Sequence, residues 1–270
     1  MQRLAFAFTM IATPVAVPVS AHEFWLEPSA YQIDADGRVQ AAIVNGENFD
    51  GVELSYLPQQ FQLFMQFSGE RVAPVMGRLG DRPALNVDPL GEGLQIFIYK
   101  SNAATLTYQT FEKFQRFADH KDFADIADRH QERALPDADF TEVYTRYAKT
   151  LVAAGHGEGA DLRTNLETEF VAITNPYDPV FMSNMSVQLW YRDHVRANAQ
   201  VEVFEKAPDD SVNVSFYRTD GDGIAHFPVK PGYSYLVDAV VLREPNANVV
   251  AETGAVWETL WASLTFEVPE

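Results

Sequence analysis

No cysteine occurs among the 270 residues. That removes disulfides, thiolate metal ligation and cysteine nucleophiles together, so a bound metal has to use imidazole, carboxylate or backbone donors. Basic residues are sparse as well: 20 Lys plus Arg stand against 38 Asp plus Glu, a net charge of −18. Such a surface repels phosphate backbones and anionic headgroups while gathering cations, which argues against nucleic acid as a partner. Beyond residue 22 no apolar run is long enough to cross a bilayer, so no membrane span is expected after that point. The chain has no Gly-x-Ser-x-Gly elbow, no His-Glu-x-x-His helix and no Walker loop. With so many acids, any one carboxylate pair says nothing of glycosidase chemistry. Hydrolytic catalysis is therefore unsupported, and whether the protein is an enzyme stays open at this level.

What the chain does have is enough apolar material for a real core. Hydrophobic residues make up 47% and aromatic residues 13%, and the length suits one large domain or two modest ones. Residues 1–21 carry Arg3, an apolar stretch from Leu4, and small residues at Val19-Ser20-Ala21. This three-part layout predicts a secretory signal cleaved after Ala21 and a secreted, periplasmic protein. Pro14 and Pro18 interrupt the apolar run, which speaks against an anchor. Cleavage there makes His22 the first residue, so that one residue offers both an α-amine and an imidazole. Together these can chelate Cu(II) or Ni(II).

The mature sequence predicts a mainly β fold of two immunoglobulin-like sandwiches with a helical insert. Apolar runs at 39–44, 61–67 and 94–99, divided by Asp36-Gly37, Asn45-Gly46, Asp50-Gly51 and Asp88-Pro89, read as strands of a first sandwich over 22–104. Segment 105–159 changes period. Phe111, Phe114, Phe117, Ala118, Ile126 and Ala127, and then Val143, Tyr144, Tyr147, Ala148 and Leu151, recur at three- and four-residue steps, predicting helices over 108–132 and 138–153 divided near Pro136. Strand signals return at 166–174, 187–191, 201–205, 212–218, 224–229, 233–242 and 260–268, a set that suits a second sandwich over 160–270. Thr219-Asp220-Gly221-Asp222-Gly223 reads as a tight hairpin connection. A calcium loop would need a ligand where Ile224 stands and a later Glu that is missing.

Six histidines can donate to a metal: His22, His120, His130, His156, His194 and His226. On one continuous helix His120 and His130 would sit about 80° apart and could not share an ion. The acids Asp119, Asp122, Asp125 and Asp128 around them suggest a solvated stripe. His194 and His226 read as surface or packed imidazoles. His156, flanked by Gly155 and Gly157, is the expected second ligand after His22, because glycines let a loop swing. Trp25, Trp257 and Trp261 are expected in the core rather than in a ligand groove.

Several stretches carry a resemblance along most of this chain: Ala21-His22-Glu23-Phe24-Trp25-Leu26-Glu27-Pro28, Asn45-Gly46-Glu47-Asn48-Phe49, Arg146-Tyr147-Ala148-Lys149, Asn175-Pro176-Tyr177, residues 219–227 and residues 257–266. In order and spacing they resemble the domain of unknown function 4198 family, whose members look like periplasmic, nickel-uptake-related proteins. The resemblance implies a secreted two-sandwich protein handling a transition metal. Members often carry a histidine near Ala239-Val240-Val241-Leu242, and this chain has none there. Three functions follow as expectations. One is a metal-binding protein for nickel, cobalt or copper uptake or delivery, with His22 and His156 as ligands and a membrane transport component as partner. The second is a copper-dependent oxidase using the terminal histidine. The third is a metal-free scaffold or binding sandwich.

Overall fold

The computed structural model describes residues 22–181 and 183–270; the expected signal peptide lies outside them. The first nine strands are β1 (Glu23–Pro28), β2 (Gln32–Ile33), β3 (Val39–Glu47), β4 (Asp50–Leu54), β5 (Phe61–Ser68), β6 (Arg71–Pro74), β7 (Leu85–Val87), β8 (Gly93–Ser101) and β9 (Ala104–Tyr108). Helices α1 (Phe111–His120) and α2 (Ile126–Glu132) follow, and then the long strand β10 (Phe140–Ala154). The remainder comprises β11 (Thr168–Ala172), β12 (Asn184–Tyr191), β13 (His194–Val195), β14 (Gln200–Lys206), β15 (Val212–Arg218), β16 (Ile224–Pro228), β17 (Ser234–Arg243), α3 (Ala247–Thr253) and β18 (Trp257–Glu267).

Among the described residues these strands build a large central sheet in the order β15-β14-β17-β18-β10-β8-β5-β6, with β2 and β9 also paired to β10. On one face lies a sheet of β1, β3, β4 and β7, and on the other a sheet of β11, β12, β13 and β16. Alternation along the central strands feeds two cores. Ile96, Ile98, Tyr147 and Leu151 pack with Phe170, Val187 and Phe227 on one side. Phe97, Tyr99, Ala148 and Val152 pack with Leu26, Ala41 and Ile43 on the other. The result is mainly β and sandwich-like on both faces, as the sequence predicts, with the two halves sharing the central sheet.

The helix expected over 138–153 is the strand β10 instead. It pairs in parallel with β18 from Glu142↔Trp257 to Thr150↔Thr265, and most of it is buried on both faces. A strand buried on both sides shows no alternation, so its apolar residues can mimic a helical stride. Its Thr, Val and Tyr content suits the pleat. The helix expected over 108–132 is two helices, broken where Asp122 takes φ 67°.

Two turn readings shift as well. Asn45 and Gly46 lie inside β3, and the reversal into β4 falls on Asn48 and Phe49, both left-handed at φ 52° and 60°. That geometry suits a two-residue hairpin loop. Gly46 is required by close approach, since a Cβ there would stand 2.0 Å from the Asp50 carbonyl oxygen. The 219–223 turn joins β15 in the central sheet to β16 in a facing sheet, so it arches between layers and is no hairpin. Asp220 Oδ1 closes it by accepting from the amides of Asp222 and Ile224, both at 2.9 Å.

Candidate functional site

His22 stands at the entrance to β1, half-exposed, with Nε2 3.8 Å from Glu47 Oε1 on the paired strand β3. The strand behind it is clamped to the central sheet. Ser263 Oγ donates to the Phe24 carbonyl and Thr265 Oγ1 to the Leu26 carbonyl, each at 2.7 Å. His22 is thus carried on rigid backbone, with a carboxylate beside one ring nitrogen and the ring open to solvent.

The next residue points into a buried charge cluster that sequence reasoning missed. Lys121, just past α1, places Nζ 2.5 Å from Glu202 Oε2 on β14, 2.9 Å from Asp238 Oδ2 on β17 and 3.5 Å from Glu23 Oε1 on β1. All four side chains are nearly sealed from solvent. Burial pushes the Glu23 carboxyl up to about 7, against the pull of Lys121. Burial likewise raises Asp238, while it opposes the Lys121 ammonium, which the three carboxylates nonetheless hold above the ordinary lysine value. Glu202 resists its own burial because His120 Nε2, 3.1 Å away, and Lys121 hold it below the usual carboxylate range. Lys121 also lies 5.0 Å over the Trp261 ring. The cluster joins a helix end, a facing strand and the central sheet.

A second cluster opens on the opposite face of β10. Lys149 Nζ, 1% exposed, reaches Asp161 at 3.2 Å and Glu169 at 3.4 Å and donates to the Leu162 carbonyl. It ties the 161–169 segment under the sheet and has no opening for a ligand. The sequence signal for both clusters was a lone charge inside an apolar run, Lys149 before Leu151-Val152-Ala153-Ala154 and Asp238 within 235–242. Such a charge is buried with the run and must be paired.

His156 is exposed in the turn after β10, far from His22. Phe24 meets Ser263, which is in register with Ala148. His156 lies beyond the strand's end at Ala154, and the stretch 148–154 alone spans roughly 20 Å. The loop is also held rather than free. Asn175 Nδ2 donates to the Gly157 and Gly159 carbonyls at 2.8 and 3.0 Å, and the Leu94 amide donates to Glu158. The structure therefore does not bring His22 and His156 together.

His130, expected in a solvated stripe, is buried. Its Nδ1 accepts from Trp257 Nε1 at 3.1 Å, so its Nε2 donates to the Pro136 carbonyl at 3.0 Å, and its ring packs 4.4 Å from Phe111. The break after α1 turns α2 so that its His faces the core. His226 pairs with Ser186 on the outer face of β16, and His194 is exposed on β13. Trp25, Trp257 and Trp261 are all buried, as expected of core residues. Among the described residues no set of three or more His, Asp and Glu is grouped to hold a metal.

Fold and clusters define a mainly β, sandwich-like protein whose layers are locked by buried lysine–carboxylate contacts. The chain belongs to the family described as Domain of unknown function (DUF4198), whose profile matches residues 19–243. No curated protein matches it. A solved structure described as the tetra-tandem repeat in the extending region of a large adhesion protein is similar at 8% identity and a TM-score of 0.21. The match covers 92% of this chain and 50% of that one, so this chain spans about half of it. A likeness that low carries no argument about this protein.

Proposed function

We propose that this is an exported protein that binds a divalent transition metal ion, Ni(II) or Cu(II), as cargo at the first residue of the processed chain. The observation that carries the reading is His22 beside Glu47 on a clamped strand. A carboxylate near Nε2 orients a metal-bound imidazole through the nitrogen that faces away from the metal. Nδ1 is then left for the ion, and with the freed α-amine it closes a six-membered chelate. Cargo sites need open positions, and a two-donor chelate leaves them for water or for a membrane transport component that takes the ion. The net charge of −18 concentrates cations at the surface. His156 drops out as a shared ligand because of its distance along β10.

The test compares three proteins: the chain beginning at His22, the same chain with one extra N-terminal Ala, and His22→Ala. Titration with Cu(II) and Ni(II) should show the first binding at least tenfold more tightly than the others. Glu47→Gln should weaken binding about 10-fold or more. Affinity should fall as the pH is lowered, since amine and imidazole must lose protons to coordinate. Equal affinity in all three chains would overturn the reading and leave the metal-free scaffold as the better account.

A further inference from the structure

Beside β1, on the face away from Glu23, the structure holds a cavity of about 420 Å³, within the usual range of small-molecule pockets. Its walls come from β1, β3, β4, β8, β9, β10 and residues 59–60, and they include Phe24, Tyr99 and Tyr144, the amides Asn45 and Asn102, and Arg146. Among the described residues, Arg146 is the sole charged residue of that wall and no carboxylate lines it. Only 7% of the Arg146 side chain's residue surface is exposed. Its guanidinium is fixed 4.1 Å over the Trp261 ring and 5.1 Å from the Tyr144 ring.

The nearby acids make their hydrogen bonds elsewhere: Asp238 Oδ2 accepts from Lys121 and Glu142 Oε1 from Thr259, while Asp238 Oδ1 and Glu142 Oε2 are buried without a partner among the described residues. They act on the guanidinium only through their charge, with no ion pair to it among the described residues. Arg146 Nη1 is buried with no hydrogen-bond partner among the described residues. A buried guanidinium with no hydrogen-bonded partner is costly even where carboxylates stand near, and a planar carboxylate is the partner its fork fits best. Aromatic rings and amides around it suit the apolar body and polar edge of a small organic acid.

We infer that this cavity is a binding site for a small organic carboxylate, with Arg146 holding the carboxylate group and Phe24, Tyr99 and Tyr144 the body. The site is separate from the His22 chelate, and neither needs the other.

The probes are benzoate, acetate and succinate, with benzamide as the uncharged match to benzoate, titrated calorimetrically and by the fluorescence of the Trp261 beneath Arg146. Saturable binding of at least one carboxylate is expected below about 10 mM, and if that probe is benzoate, at least tenfold tighter than benzamide. Arg146→Met should abolish it. Ala103→Trp, on the exposed turn at the cavity's edge, should weaken it at least tenfold while leaving the guanidinium untouched, and it keeps the test open should Arg146→Met not fold. No saturable binding of any of the three acids, benzamide binding as tightly as benzoate, or full affinity in Ala103→Trp would each overturn the assignment.

Discussion

At Lys121 one ammonium faces Glu23, Glu202 and Asp238, drawn from three different strands. Removing the cation leaves three buried carboxylates to repel one another, whereas removing one acid relieves the excess. Lys121→Met is therefore expected to cost about 3–5 kcal/mol in urea unfolding, the usual penalty for breaking a buried pair on one side; a loss under about 1 kcal/mol would show that the cluster is not stabilised by its cation. Glu23 sets the pH dependence. Its folded value, about 7, stands above the ordinary 4.5 because of burial. The folded state then holds the proton more tightly than the unfolded one. The stability this contributes is full below about 4.5 and is lost as pH rises through about 7. Measured with chelator present, wild type should lose stability relative to Glu23→Gln between pH 5 and 8. Parallel pH curves for the two proteins would contradict this.

At the scale of elements, β10 and the β3–β4 hairpin show where local pattern and final structure part. In β10 the residues read as a helix because Val143, Tyr147 and Leu151 fall four apart, a spacing that also keeps them on one face of a strand. Val143, Tyr147 and Leu151 are all buried in that strand. Only its position between β8 and β18 selects the strand. The hairpin is the opposite case. Asn45-Gly46 is a strong turn signal, yet the loop falls three residues later at Asn48-Phe49, and the glycine serves a backbone contact across β4. Gly46→Ala should lower stability by about 2 kcal/mol, since the clash is with backbone and the hairpin itself must shift. An unchanged urea midpoint would show that β4 can move aside freely.

For the whole molecule, the central sheet runs without interruption from β15 to β6, so strands from early and late parts of the chain share one ladder. Parallel pairing of β10 with β18 spans more than 100 residues of sequence. Heat unfolding followed by tryptophan fluorescence and by far-ultraviolet circular dichroism should give one coincident transition, and two separated transitions would show halves that fold alone. The charge of −18 acts over the same scale. Self-repulsion of the folded state is screened by salt, so the melting temperature should rise from low to moderate NaCl. A flat response would mean that local pairs already compensate the excess.

The mainly β class, most runs that become strands, the burial of Trp25, Trp257 and Trp261 and the absence of thiol chemistry were determined by the sequence alone, because they depend on composition and short-range pattern. The family was legible too, from motifs whose order spans most of the chain. Tertiary structure alone decided the partners of each charge. Lys121 meets Glu202 and Asp238 across 81 and 117 residues, separations at which no local pattern says which acid will face which base. It also decided that His130 turns inward, that His156 is clamped far from His22, and that Arg146 stands unpaired in a cavity wall. Charge pairing and convergence are set by how sheets stack, and stacking is a property of the whole chain.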